Sequence, residues 1–245
     1  MLNGLDLFSG FGGLTLALSP WVRPIAYCEN DRYAQSVLLC RMADGEIPIA
    51  PIWDDIRTLS ARDLPPIDIL YGGFPCQDIS SAGTRAGLEG ERSGLFFQAV
   101  RLVRECRPKL VYIENVAGIK KFVPTIRAEL EGLGFKCRDG FIPAPPISGF
   151  EGFRWFLLAA AESVLGEEWL GVYSKHDQNE SPGEVSRQSL EAHYENLPPA
   201  WDSTFGKIGR DVDGLPNRVD RIKSLGNAVV PLQAREAFKR LSGVA

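Results

Sequence analysis

The sequence predicts an α/β domain built on a doubly wound, mostly parallel sheet. Short apolar runs typical of buried strands alternate with segments of helical apolar spacing through the first half of the chain. Several of these runs end at glycine, proline or an acidic residue, as expected where a strand gives way to a turn. The chain has 245 residues, of which 44% are hydrophobic, so it is long enough to form one substantial core.

The composition of the chain limits the classes of protein to which it can belong. The five cysteines are odd in number and widely spaced, which predicts reduced thiols, and the lack of a CxxC pair argues against zinc. We see neither a signal peptide nor an apolar run long enough to span a bilayer, so we expect a cytoplasmic protein without a membrane partner. The net charge of −4 disfavours general nucleic-acid binding but allows a local basic face.

A glycine-rich turn follows the first predicted strand, residues 5–8. The turn is Ser9-Gly10-Phe11-Gly12-Gly13, and a helix is predicted from Leu14. Such a turn lets a ligand approach the backbone and the helix N-terminus, although similar turns also serve only as tight connections. Since the sequence has neither GxGxxG nor GxxxxGK[ST], a nucleoside without a long phosphate chain fits better than NAD or ATP.

Acidic residues follow the next two predicted strands. Glu29 follows residues 24–28 and could accept hydrogen bonds from ribose hydroxyls, or could cap the helix that begins near Asp31. Asp55 follows residues 51–53 and could bind an amino group, or merely begin a turn. Because the ends of parallel strands converge, the glycine turn and the two acids could surround one adenosine.

Cys76 follows another predicted strand, residues 67–71. The pair Gly72-Gly73 frees the backbone, and Pro75 fixes the conformation directly before the cysteine. This arrangement would hold a thiol rigidly at the carboxyl end of a strand, where ligands of α/β sheets bind. The alternative is a structural cysteine in a strand-ending turn.

A second carboxylate ends the next predicted strand. Glu114 follows residues 110–113, and this strand should lie beside the one that carries Cys76. A carboxylic acid there could stay protonated and donate to a base ring, or could serve as a helix cap or an ion-pair partner. Between the two strands, the polar residues 80–94 could close over a phosphate backbone or form a solvated connection, and residues 95–106 are predicted to form an amphipathic helix.

These motifs, taken in order, resemble those of the cytosine-5 DNA methyltransferases, which use S-adenosylmethionine. The matching stretches are Asp6 to Gly13, Glu29, Asp55-Ile56, Gly73 to Gln77, Glu114 to Val116 and Gly226 to Pro231. The resemblance implies a Rossmann-like class I methyltransferase fold with a small target-recognition region. It also implies methylation of carbon 5 of cytosine in a short DNA sequence, after the base has left the duplex stack.

The resemblance implies roles for individual residues. Cys76 would attack carbon 6 of the cytosine, Glu114 would contact ring nitrogen 3 and the exocyclic amine, and Arg154 would face the base carbonyl. Thiolate addition at carbon 6 makes carbon 5 enamine-like, so that it can attack the sulfonium methyl. The implied cofactor-binding residues are Phe8, Ser9, Gly10, Phe11, Gly13, Glu29, Asn30, Asp55, Ile56, Pro75, Leu95, Asn227 and Ala228.

Within that set, Phe8 would pack on the adenine, and the turn that follows it would hold the methionine part. Glu29 would bind the ribose, Asp55 the adenine amino group, and Asn227 with Ala228 the carboxylate end. The chain departs from the family at three places. The usual Gln-x-Arg-x-Arg motif keeps only Arg154, and Asn30 stands where a bulky ring is usual. The arginine-leucine motif that usually follows the target-recognition region is not recognisable.

The predicted organisation is a catalytic and cofactor-binding core over residues 1–160, a short target-recognition region over 161–210, and a segment over 211–245 that returns to the core. Residues 162–200 carry eight acids and two bases, whereas the basic stretch 207–223 could contact the DNA backbone. The predicted partners are double-stranded DNA and a restriction endonuclease acting on the same site, and we expect a monomer of bacterial or phage origin. The rival hypotheses are an RNA cytosine methyltransferase and a catalytically weak DNA- or cofactor-binding remnant.

Overall fold

The computed structural model describes residues 1–75, 94–144, 153–164 and 229–244. Its strands are β1 (Leu2–Leu7), β2 (Val22–Cys28), β3 (Ile52–Trp53), β4 (Ile69–Gly72), β5 (Leu110–Val116), β6 (Phe135–Pro143) and β7 (Phe153–Ala161). Its α-helices are α1 (Gly13–Leu18), α2 (Arg32–Ala43), α3 (Leu95–Cys106), α4 (Val123–Glu131) and α5 (Pro231–Ser242). Short 3-10 turns occupy Ala61–Asp63, Ala117–Phe122 and Glu162–Val164.

The strands within these ranges form one sheet in the order β3-β2-β1-β4-β5-β7-β6. The first five are parallel, and β7 runs antiparallel between β5 and β6. From β1 the chain winds to one side through β2 and β3, and it then returns to the other side through β4 and β5. This arrangement confirms the predicted doubly wound, mostly parallel sheet, and it places the topological switch point between β1 and β4.

Helices cover both faces of the sheet because its central strands are apolar on both sides. On one face, α3 and α4 bury residues such as Phe96, Leu102 and Ile126 against the sheet. On the other face, α1 and α5 pack together with Tyr71 and Tyr112. These two layers hold the carboxyl ends of β1, β4 and β5 in fixed positions.

The last helix is tied to the first one. Arg235 of α5 donates from Nε to the carbonyl of Ala17 at 2.9 Å and from Nη2 to that of Leu16 at 2.8 Å. Tyr112 of β5 donates its hydroxyl to the carbonyl of Ala234 at 2.6 Å. The residues just before α5 are therefore brought beside the turn that precedes α1.

Three features considered in the sequence analysis can be looked for in the described residues. Within them no helix combines the length and hydropathy needed to cross a membrane. The described cysteines, Cys28, Cys40, Cys106 and Cys137, are free thiols. No cluster of three or more His, Cys, Asp or Glu side chains in these ranges could hold a metal ion.

Candidate active site

A cleft opens at the carboxyl ends of β1, β4 and β5, at the switch point of the sheet. The space in and around its mouth, including space open to solvent, is about 480 Å³. It is lined by Phe8, Ser9, Gly10, Phe11, Gly13, Leu14, Arg41, Gly73, Glu114 and Val229. The structure thus brings together the predicted glycine turn, the glycine three residues before Cys76, the predicted acid and the segment preceding α5.

The glycine turn adopts left-handed backbone conformations, which residues with a side chain rarely adopt. Gly10 and Gly12 have φ angles of 53° and 78°, and Phe8 itself has a φ of 54°. A Cβ at Gly13 would lie 2.7 Å from Cγ1 of Val229, so only glycine lets the two segments approach this closely. The turn therefore packs against Val229, in the segment that precedes α5, and its other side faces the cleft.

Glu29 supports this turn directly. Its Oε2 accepts a hydrogen bond from the Gly10 N–H at 2.8 Å, and its Oε1 accepts one from the Asp31 N–H at 2.8 Å. Burial raises the pKa of this carboxyl. The alternative that Glu29 caps α2 is wrong, because Asp31 is the cap and accepts from the N–H groups of Tyr33 and Ala34. The neighbouring Asn30 is exposed.

The remaining predicted cofactor residues differ in their surroundings. Asp55 follows β3 as predicted, but its carboxylate is bound by Arg57, which lowers its pKa. Ile56 is buried in the main core, and Leu95 packs against that core from α3. Pro75 is half-buried at the end of the turn after β4.

Glu114 is the buried acid of the cleft. Its Oε1 accepts from Nη1 of Arg154 at 3.2 Å, across the β5–β7 pair. Burial raises the pKa of Glu114 to about 7, although the charge and hydrogen bond of Arg154 act in the opposite direction. The ion pair considered as an alternative for Glu114 is therefore present, and it joins the two residues predicted to contact the base.

Asn115 connects the strand of Glu114 to the strand that precedes Cys76. Its Nδ2 donates to the carbonyl of Phe74 at 3.1 Å, and both groups are buried. This bond fixes the backbone just before Pro75. Cys76 is the next residue in the sequence after Pro75.

Several predicted elements lie outside the described residues. They are Cys76, Asn227, Ala228, residues 80–93 of the predicted loop, residues 150–152, and the acidic and basic stretches between 165 and 223.

Sequence reasoning assigned no role to Arg41 or to Asp6, although Asp6 begins the first matching stretch. Arg41 reaches the turn from α2 and donates from Nη1 to the carbonyl of Phe11. Asp6 is 1% exposed and accepts at Oδ2 from the Thr15 hydroxyl at 2.6 Å, while Thr15 and Tyr71 share a further hydrogen bond of 2.9 Å. Burial raises the pKa of Asp6 to about 8. An acid inside an apolar strand was a visible signal for Asp6, whereas Arg41 resembles any helix-surface arginine.

The fold and the cleft are those of an α/β methyltransferase domain. A solved structure of Schizosaccharomyces pombe Dnmt2 methyltransferase covers 76% of this chain and 59% of its own, with a TM-score of 0.55 and 22% identity. The family model of the C-5 cytosine-specific DNA methylases matches residues 2–144. The chain belongs to that family.

Individual proteins that are similar to this chain support the same family. The type II methyltransferase M.CviJI of Paramecium bursaria Chlorella virus IL3A is 30% identical over 97% of this chain and 58% of its own length. The type II methyltransferase M.HhaI of Haemophilus parahaemolyticus is 43% identical over 47% of this chain and 34% of its own. This chain therefore spans between one third and three fifths of the length of these two relatives.

Proposed function

We propose that this protein transfers a methyl group from S-adenosylmethionine to carbon 5 of cytosine within a short DNA sequence. One observation carries the proposal. A buried acid, Glu114, is paired with Arg154 beside the strand that leads to Cys76, and it faces the glycine turn across a single cleft. That cleft would bring a cofactor and a flipped base together at the switch point of the sheet.

The residues on the cofactor side fit an adenosyl ligand. Glu29 is fixed by two backbone N–H groups and retains lone pairs for ribose hydroxyls. Phe8 lines the cleft and could pack on the adenine, with Asp55 beyond it at the end of β3. The bound cofactor would supply an electrophilic methyl group, and the glycine turn would leave room for its amino-acid part.

The residues that would contact the cytosine, Cys76 and Glu114, account for its activation. The Cys76 sulfur forms a bond to carbon 6, and a proton from Glu114 at nitrogen 3 neutralises the charge that develops on the ring. A pKa of about 7 leaves Glu114 partly protonated at neutral pH, so it can act as this donor. Carbon 5 would then take the methyl group, and the sulfonium would leave as the neutral thioether S-adenosylhomocysteine. Loss of the carbon 5 proton to water, return of the nitrogen 3 proton to Glu114 and breaking of the sulfur–carbon bond would restore the ring and release the thiolate.

Arg154 has two functions in this scheme. Its guanidinium pairs with Oε1 of Glu114, and in this scheme it also donates to the carbonyl oxygen of the base. Its strand, β7, begins at Phe153, directly after the region where the rest of the family's arginine motif is missing. The surviving arginine is thus the one that would contact the target ring.

The remaining assignments belong to the same proposal. We assign residues 161–210 to target recognition and residues 211–245 to a segment that returns to the core, which the packing of α5 on α1 supports. Double-stranded DNA is the proposed substrate, with a restriction endonuclease acting on the same site as a partner and a monomer as the active form. The names of the type II relatives favour DNA over RNA.

The direct test is methyl transfer from S-adenosylmethionine labelled in its methyl group. Purified protein should label duplex DNA, and sequencing of methylated cytosines should reveal one short site. An RNA methyltransferase would label RNA and leave the duplex unlabelled. A binding remnant would label neither, although it would still bind DNA or cofactor.

A further inference from the structure

Arg41 reaches the cleft from α2 and is anchored at two points. Its Nη1 donates to the carbonyl of Phe11 within the glycine turn, and its Nε donates to the carboxylate of Glu46 at 2.8 Å. Its side chain is 16% exposed, whereas that of Glu46 is 50% exposed. The guanidinium is therefore held in a defined position against the turn.

This anchoring leaves part of the guanidinium unused. Arginine carries five N–H donors in a rigid fork, and the contacts with Phe11 and Glu46 occupy Nη1 and Nε. The third nitrogen, Nη2, has no hydrogen-bond partner among the described residues. Of the described residues that line the cleft, Arg41 is the cation and Glu114 is the acid. A free donor pair with positive charge thus lies beside the glycine turn.

The order of the strand ends indicates which part of the cofactor lies there. The inference rests on the proposed function, in which Glu29 and Asp55 take the adenosine over β2 and β3. The transferred methyl group must face Glu114 and the end of β4, on the other side of β1. The amino-acid part then lies over the β1 turn, beside Arg41. Its carboxylate is the one anionic group of S-adenosylmethionine at neutral pH.

We propose that Arg41 adds a contact to the carboxylate end of the cofactor, which the resemblance assigns to Asn227 and Ala228. It would bind that carboxylate through Nη2 and select cofactors that carry this group. An arginine–carboxylate contact is charge-assisted and is stronger than a neutral hydrogen bond. The bond from Nη1 to Phe11 keeps the guanidinium in place before the cofactor arrives, which reduces the ordering cost of binding. The competing explanation is that Arg41 does no more than hold the turn.

Decarboxylated S-adenosylmethionine separates the two explanations because it lacks only the carboxylate. Calorimetry would measure the affinity of both molecules for the parent protein, for Arg41→Met and for Glu46→Gln. The parent should prefer the carboxylated molecule by about tenfold or more, as expected for a charged hydrogen bond. Arg41→Met should reduce that ratio to near one. Glu46→Gln, which removes the negative charge beside Nε and keeps the Arg41 cation, should preserve it.

The outcomes are distinguishable. If Arg41→Met weakens both molecules equally, or neither, Arg41 acts only through the turn and the inference is overturned. A parent protein that binds both molecules equally overturns it without any variant, so the test survives a poorly folded Arg41→Met. A folded parent that binds neither molecule contradicts the proposed function itself, and the inference fails with it.

Discussion

The substitution Gly73→Ala, which adds one methyl group, should lower activity strongly while leaving the fold intact. A Cβ at this position would lie 2.6 Å from Oε2 of Glu114. Nonbonded heavy atoms prefer separations of roughly 3.5 Å, so this oxygen must retreat by about 1 Å. It can do so because it ends a flexible side chain, and because the other oxygen is the one bound to Arg154. Stability should therefore change little.

Activity should respond far more strongly than stability. A misplacement of about 1 Å in a reacting group can lower a rate by about 10²-fold. We expect Gly73→Ala to lower kcat for methyl transfer by roughly that factor, with a Tm and a cofactor affinity close to those of the parent. Radiometric transfer, thermal melting and calorimetry measure the three quantities.

Gly72 and Gly118 serve as controls. A Cβ at Gly72 would lie 2.3 Å from the backbone carbonyl oxygen of Leu7, which cannot move without disturbing β1. Gly72→Ala should therefore destabilise the fold by about 1–3 kcal/mol or more. A Cβ at Gly118 would meet nothing within 4 Å, so Gly118→Ala should be silent. Parental turnover in a folded Gly73→Ala would refute the role assigned to Glu114.

Three other predictions concern Arg154, Glu29 and the two buried acids Asp6 and Glu114. Arg154→Ala should lower the rate of methyl transfer much more than it lowers cofactor affinity. Because it removes the cation beside Glu114, it should also raise the pKa of Glu114 and shift the alkaline limb of the pH–rate profile to higher pH. A variant that melts at a lower temperature yet transfers methyl groups normally would show that Arg154 is purely structural. Glu29→Ala should weaken the affinity for S-adenosylmethionine, measured by calorimetry, about tenfold or more. The control Glu129→Ala, on α4, should leave that affinity unchanged. Equal affinities of the parent and Glu29→Ala would contradict the assignment of Glu29 to the ribose. The free energy of unfolding should fall as pH rises from about 4 to about 8, because buried Asp6 and Glu114 hold protons more tightly in the folded state than in the unfolded state. Asp6→Asn should flatten this decline in denaturant titrations at several pH values, and an unchanged slope would show that Asp6 is ionised when folded.

Sequence reasoning predicted the central sheet well because its strands are short apolar runs that end in recognisable turns. The predicted helix over residues 95–106 matches α3, and the strand predicted at 110–113 extends to Val116 as β5. The strand β6 and the helix α4 were not predicted separately. In β6, buried residues alternate with polar ones such as Arg138 and Asp139, which conceals its apolar face.

The site was predicted less completely than the fold. Motif spacing identified Glu29 and Glu114, and the strand order then placed both at the edge that also presents the glycine turn. Spacing could not reveal that Asp31 rather than Glu29 caps α2, since both precede the helix. Nor could it identify Arg41, whose role depends on a contact across 30 positions of the chain. Such contacts follow from packing, which local patterns do not encode.

The most direct test of the account is covalent trapping on a fluorinated base. A pool of random duplexes containing 5-fluorocytosine includes the recognised site, whatever its sequence. After methyl transfer, fluorine cannot leave as the proton does, so the bond between Cys76 and carbon 6 should persist through denaturation. The complex should require S-adenosylmethionine. It should be lost in Cys76→Ser, whose hydroxyl is far less ionised than a thiol near neutral pH, and it should form slowly in Glu114→Gln. A folded, cofactor-bound protein that traps no duplex from this pool would contradict the account.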